Sequence, residues 1–384
     1  MHRISETPEI IMKHSSVILL CSALIGLGLI ACHQPQPTPR EALIQRLQDL
    51  QQRGCMFGHQ DDPFYGIGWA YEPNRSDVLE TCGDYPAVMG FDLGGIEMGD
   101  SKNLDSVPFD VMRREIIAHY ERGGIVTISW HPRHPLTTTE SVGTPWPAGT
   151  AWDVTKGAVP AILHSSEQHQ LLLDWLERIR MFLCSLQTND GKPIPVIFRP
   201  WHENNGGWFW WGAAHCTAEE YKTLYQLTYE NINSSLKPSI VWSYSPNLDG
   251  SMTEERFLER YPGDEYVDLI GLDAYQWGTE DDFVRHTRAN LSMLCRFGDM
   301  HHKPVALTEC GYRSVPDPSW WDRVLLPILC DYPLAYALVW RNAEGGEHFG
   351  PVPGTESAEH FRAFYDAPRT LFLKDIQAIK QHRQ

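Results

Sequence analysis

"PVIFRPWHENNGGWFWWG", residues 195–212, decides how the rest of the chain is read. It opens on a short apolar, β-branched run and then turns abruptly polar and aromatic at His202 and Glu203. Seven other stretches repeat that pattern: "CMFGHQ" from 55, "AVMGFDLGG" from 87, "GIVTISWHP" from 124, "SIVWSYSPN" from 239, "VDLIGLDAY" from 267, "PVALTECGY" from 304 and "LAYALVWRN" from 334. Helical segments lie between them. Asp110–Arg122 has apolar residues at helical spacing and stops at Gly123 and Gly124. Thr217 and Glu220 form a capping box for a helix running to about Leu236, another helix covers Glu167–Leu186, and a first one spans roughly Arg40–Arg53. Near-continuous apolar strands that alternate with helices imply a parallel sheet covered on both faces. Eight units predict an α/β fold, a (β/α)8 TIM barrel forming a single catalytic domain over 41–384. A doubly wound open sheet is the competing fold, but no GxGxxG follows the first strand.

A barrel of this kind gathers its chemistry at the C-terminal strand ends. The polar set expected there is His59, Asp92, His131, His202, Glu203, Asn247, Asp273, Tyr275, Glu309, Trp340 and Arg341. Glu203 closes the fourth strand and Glu309 the seventh. Two carboxyls across an aromatic cleft fit glycoside hydrolysis, in which one protonates the leaving oxygen while the other attacks the anomeric carbon or activates water. Burial against aromatics and an anionic partner would keep Glu203 protonated, and donors such as Tyr275 would hold Glu309 ionised. Sugars offer flat apolar faces edged by hydroxyls, so the tryptophans around Glu203 read as a stacking platform. Trp201, Trp210 and Trp211 fit a hydrophobic core as well. HE at 202–203 is no zincin helix, because Gly206 stands where HExxH needs histidine. His131, His134 and His202 could together hold a metal, but the reading adopted is sugar contact, with no metal and no cofactor.

The stretch from Arg199 to Gly212 closely resembles the RPxHExNGxWFWWG signature of glycoside hydrolase family 26, chiefly β-1,4-mannanases. It departs at Trp201, where Phe or Leu is frequent, and at Asn204, where Met is frequent. The resemblance extends to "GHQ" at 58–60, "SWH" at 129–131, "GLDAY" at 271–275, "LTECG" at 307–311 and "WRN" at 340–342, and so covers nearly all of 55–366. It implies a (β/α)8 barrel and double displacement with retention, with Glu203 as acid/base and Glu309 as nucleophile. His202 would support the acid/base side, and Tyr275 would hydrogen-bond the nucleophile. The resemblance also places His131 and Trp340 at the −1 subsite, Arg341 at the −2 sugar and Trp208 at the leaving-group side. Trp146 and Trp152 become aglycone candidates. The implied partner is β-mannan or a manno-oligosaccharide, cleaved mainly to mannobiose. β-1,3-Xylan, mixed-linkage glucan and a non-catalytic sugar-binding lipoprotein are the alternatives.

The chain has 384 residues, 42% of them hydrophobic, 14 tryptophans and a formal charge of −17. That charge repels nucleic acid and anionic headgroups but not a neutral polysaccharide. "MKHSSVILLCSALIGLGLIAC", from Met12, carries one lysine, an apolar stretch and small residues before a cysteine. Leu29–Ala31 with Cys32 resemble a bacterial lipobox. The expectation is a signal over 1–32, lipidation at Cys32, a Pro-rich tether over 33–40, and a membrane-anchored, periplasm-facing monomer. Glu6 and Glu9 are odd in a signal n-region, so the start is left open between Met1 and Met12. Seven cysteines remain beyond Cys32, so at least one thiol is unpaired.

Overall fold

The structure, a computed structural model, describes residues 36–137, 149–236 and 239–381. The signal segment, both candidate starts, Cys32 and Trp146 lie outside them. Eight strands correspond to the eight runs: β1 Cys55–Gln60, β2 Val88–Asp92, β3 Ile125–Trp130, β4 Val196–Pro200, β5 Ile240–Tyr244, β6 Leu269–Tyr275, β7 Val305–Gly311 and β8 Tyr336–Val339. Each pairs in parallel with the next. β8 pairs back onto β1, from Met56 opposite Tyr336 to His59 opposite Val339, so the sheet closes into the barrel and the open sheet is excluded.

Two apolar layers explain why nearly every strand residue is buried. Phe57, Phe91, Val126, Ile128, Phe198, Trp242, Leu272 and Leu307 pack outward against the surrounding helices. The residues between them point inward, and Met56, Val88, Ile125, Ile197, Val241, Leu269, Ala306 and Tyr336 fill the lower barrel. Leu43, Leu47 and Leu50 of the helix Pro39–Gln51 join that inner layer and close the bottom. Further up, the inward positions turn polar: Asp92, Ser129, Arg199, Ser243, Asp273 and Thr308 are all buried. The barrel is thus mainly apolar below and polar at its mouth.

Local signals position the helices. Thr38 caps the first with a reciprocal bond to Glu41, so helix begins at Pro39, inside the stretch expected as tether. Phe109–Glu121 ends before Gly123, whose φ of 95° suits glycine. The Glu220 carboxylate accepts from Thr217 N at 2.8 Å, and Thr217 Oγ1 accepts from Glu220 N at 3.2 Å, ahead of Ala218–Leu236. Ser166–Cys184 is the remaining expected helix. Cys55, Cys82, Cys184, Cys216, Cys295, Cys310 and Cys330 are all unpaired.

Candidate active site

Past Pro200 the backbone leaves β4 through two left-handed residues, Trp201 at φ 55° and Glu203 at φ 52°. Side chains other than glycine rarely accept that conformation, which costs about 1–3 kcal/mol each. Packing offsets it. Trp201 lies 4.8 Å from the Trp130 ring, 5.3 Å from Trp210 and 5.6 Å from Trp211, and its Nε1 donates to Thr228 Oγ1 at 3.0 Å. The Glu203 N–H donates to the Ser245 carbonyl at 2.8 Å. Trp201, Trp210 and Trp211 are fully buried, so the stacking platform read from this run is corrected for all three: they are core that props the loop. Trp208 alone of the four reaches the cleft, where its indole N–H donates to the Glu203 carboxyl. Gly206 lets it do so, since a Cβ there would stand 2.5 Å from the Trp208 ring.

Glu309 arrives by a different device. Alternation along β7 turns Ala306 and Thr308 inward and would turn Glu309 out. The register instead slips by one: Leu272 faces Leu307, but Asp273 faces Glu309, and on the other side Ala337 faces Leu307 while Val339 faces Cys310. This β-bulge sends both Thr308 and Glu309 into the mouth. The Thr308 hydroxyl donates to Asp273 at 2.7 Å, and the Tyr275 hydroxyl donates to Glu309 at 2.6 Å.

Between the carboxyls sits Arg199, buried at the top of β4. Its guanidinium donates to Asp273 at 2.8 Å, to the Ser245 hydroxyl at 3.2 Å and to Glu309. One oxygen each of Glu203, Asp273 and Glu309 fall within 4.8 Å of one another. Three carboxyls around one cation cannot all ionise cheaply in a buried site. Burial, then the charges of Asp273 and Glu309, push Glu203 well above the usual carboxyl range. Burial also raises Asp273, to about 8, against the pull of Arg199. Asp273 and Glu309 both accept from Arg199, whereas Glu203 has the neutral Trp208 N–H, so the proton belongs on Glu203. The trio could hold a metal by distance alone, but two of its three members, Asp273 and Glu309, are already paired with Arg199.

A second chain of contacts supports this centre. Asp92 accepts from Ser129 Oγ at 2.6 Å and from His131 Nδ1 at 2.7 Å. Burial pulls the His131 pKa down, but the Asp92 carboxylate outweighs it and the net shift is up. Burial, Arg199 and His131 together hold His202 well below its ordinary value. The Nε2 atoms of His131 and His202 share one hydrogen bond, 3.0 Å long. His134 is elsewhere: its Nε2 meets the Thr155 carbonyl at 2.9 Å, and its Nδ1 accepts from Leu136 N at 3.2 Å. The three histidines do not form a metal site.

His131, Trp152, His202, Glu203, Trp208, Tyr275, Glu309 and Trp340 line one cleft of about 510 Å³. Trp152 stacks on His131, centroids 5.2 Å apart and 15° between planes. Arg341 is set back from that lining and pairs with Asp105 at 3.2 Å and, more loosely, with Glu347 at 3.9 Å. His59 also misses the cleft, tied to Asp62 at 2.8 Å. The sequence reading passed over Arg199, Phe209, Trp277, Arg313, Glu347 and Phe349. Arg199 is a cation inside an otherwise apolar strand, which could have marked it.

The barrel, with carboxyls from β4 and β7 meeting in an aromatic cleft, defines a glycoside hydrolase. Residues 33–299 match the profile of Glycosyl hydrolase family 26, and the chain belongs to that family. It is similar in structure to a GH26 β-mannanase from Bacteroides ovatus, 43% identical, with a TM-score of 0.83 over 88% of this chain and 95% of that one. The catalytic domain of the Bacillus sp. JAMB-750 GH26 endo-β-1,4-mannanase is 29% identical, with a TM-score of 0.78 over 88% of this chain and 92% of that one. In sequence it is 28% identical over 356 residues to a mannan endo-1,4-β-mannosidase of Bifidobacterium adolescentis, spanning 86% of this chain but only 34% of that relative's length.

Proposed function

We propose that the protein hydrolyses β-1,4-mannosidic linkages in mannan, galactomannan, glucomannan and manno-oligosaccharides, with retention of configuration. The observation that carries this reading is that an oxygen of Glu203 and an oxygen of Glu309, which both line the cleft, lie within 4.8 Å of each other. Retaining enzymes hold the two carboxyls about 5–5.5 Å apart, and inverting ones hold them further apart to admit a water. Mannan is favoured over other β-glycans by the names of the relatives and structural neighbours described above.

In this reading Glu309 is the nucleophile. Its two oxygens take donors from Arg199 and Tyr275, which suits a carboxylate aimed at an anomeric carbon. Glu203 passes its proton to the departing glycosidic oxygen as the covalent mannosyl–enzyme forms. Once the leaving sugar has gone, Glu203 takes a proton from water, which attacks the anomeric carbon and releases Glu309. Trp208, bonded to Glu203, stacks on the leaving-group side, and Trp152 extends that wall. His131, His202 and Trp340 enclose the −1 sugar, while Arg341 reaches the −2 sugar and favours mannobiose as product. Lipidation at Cys32 and a periplasmic location belong to the same proposal, resting on the lipobox-like residues.

The test is leaving-group dependence. Glu309→Ala should abolish hydrolysis of both mannan and a dinitrophenyl mannoside. Glu203→Ala should lose about 10²–10⁴-fold on mannan, the usual worth of general acid help, while still glycosylating on the activated substrate. Azide should then accelerate turnover and yield a β-azide. Equal damage on both substrates without azide rescue would overturn the assignment of Glu203.

A further inference from the structure

Trp277 stands out among the described residues as the most exposed large apolar side chain, at 69%. It lines the same cleft as Trp152, Trp208 and Trp340, so its exposed face is offered to whatever that cleft binds. It is also rigidly held. Its ring stacks on Tyr275, centroids 5.5 Å apart and 29° between planes, and meets the edge of Phe349 at 6.5 Å. Tyr275 is fixed by its bond to Glu309, and Gln276 by its N–H to the Gly311 carbonyl at 2.9 Å and its side-chain oxygen to Trp320 Nε1 at 2.9 Å. Two residues on, Thr279 caps the helix Glu280–His301. The connection is therefore short and pinned at both ends, so the exposed ring is presented ready-made.

Its neighbours have the matching chemistry. Arg313 and Glu347 line the same cleft and pair with each other at 2.5 Å. They supply charged donors and acceptors in the same cleft as that aromatic face, the combination that pyranose rings bind. Trp208, Phe209 and Trp152 come from the loops after β3 and β4, whereas Trp277, Arg313 and Glu347 come from those after β6, β7 and β8. The cleft thus has a second wall, and of the reacting pair only Glu309 belongs to it.

We propose that Trp277, with Arg313 and Glu347, forms a further sugar-binding subsite that grips a β-1,4-linked hexopyranose unit of the polymer away from the bond being cut. The proposal rests on the β-glycanase reading, and its substrate class is that of the same cleft. Stacking of this kind is worth a factor of roughly 2–10 in affinity per ring, so its loss should fall on polymers that cover the rim.

The test uses the full chain with Glu309→Ala as a non-hydrolysing background, run in gels containing galactomannan, glucomannan or hydroxyethyl cellulose. Trp277→Ala should lose most of the retardation that the background protein shows, and Trp277→Phe should keep about half or more of it. In the hydrolysing enzyme, Trp277→Ala should lower kcat/KM on polymer several-fold more than on a dinitrophenyl mannoside, with the change in KM. Retardation by cellulose ether alone, lost in Trp277→Ala, would uphold the subsite while overturning mannan as substrate. Migration of Trp277→Ala level with the background protein, or a background protein that no glycan retards, would overturn the subsite.

Discussion

A carboxyl beside an indole N–H and two other carboxyls keeps its proton, and one beside a guanidinium and a phenol accepts bonds on both oxygens; Glu203 and Glu309 differ in that way. The arrangement has a cost that can be measured. Because burial and like charges raise the folded-state pKa of Glu203, its protonated form contributes stability that is complete below the ordinary carboxyl range. That contribution is lost as pH rises through the raised value. Glu203→Gln cannot ionise, so it should unfold at a higher temperature than the parent, by a margin that widens from mildly acidic to alkaline pH. Calorimetry across that range checks it, and a margin that shrinks with rising pH would contradict the shift. Activity on mannan should fall along the alkaline limb for the same reason, as the acid is titrated. Arg341 carries a second residue-scale prediction. The side chain of its partner Asp105 is only 7% exposed, so Arg341→Ala should both weaken kcat/KM on mannotriose, by roughly 1–3 kcal/mol for a charged hydrogen bond, and lower stability. Arg341→Ala/Asp105→Asn should recover stability without recovering kcat/KM. Unchanged mannotriose kinetics would remove Arg341 from the −2 sugar.

At the scale of elements, the strands were legible in the sequence because a parallel barrel buries both faces, so each strand reads as an apolar run that ends where the mouth begins. Caps were legible for a similar reason: the Thr217–Glu220 pair and Gly123 act on their immediate neighbours. The facing of Glu309 was not legible from alternation, since it depends on a one-residue slip against β6 and β8 that no local pattern announces. Nor could composition separate Trp208 from Trp201, Trp210 and Trp211. All four sit in one aromatic run, and the left-handed turns at Trp201 and Glu203, with the space Gly206 leaves beside Trp208, separate the ring at the cleft from the three in the core. Trp277 escaped notice because a lone tryptophan in a loop has no periodicity to mark it. The buried trio makes its own prediction. Trp210→Ala should cost about 3–5 kcal/mol, as large aromatic truncations in cores do, and should lower activity because the loop that carries Glu203 loses its support. Denaturant unfolding measures the first effect, and a variant as stable as the parent would show that the trio is not what holds the loop.

For the whole molecule, the formal charge of −17 and the neutral substrate class are compatible, since a strongly acidic surface neither attracts nor repels an uncharged glycan. It does discourage adsorption to anionic headgroups, so attachment to a membrane would need the covalent lipid proposed at Cys32. Detergent phase partitioning reads this directly: the full chain expressed in a bacterium should enter the detergent phase, and Cys32→Ala should move it to the aqueous phase. Protease treatment of intact cells that removes the activity would place the enzyme on the outer face instead of in the periplasm.

The closure of β1 against β8 also sets a timetable for a chain made without residues 1–32, which folds where it is synthesised instead of crossing a membrane unfolded. Met56 finds its partner Tyr336 some 280 positions later, and Cys55 waits longer still for Thr370. At roughly 5–20 residues per second, a ribosome takes about 15–55 s to travel from the first strand to the eighth. For all that time β1 has an unpaired edge on the side where β8 will dock, with the barrel's apolar interior open beside it. The nascent chain is therefore at its most aggregation-prone late in translation, when seven strands are made and the seal is missing. Ribosome-bound chains stalled between β7 and β8 should recruit chaperones more strongly than chains released after Leu371.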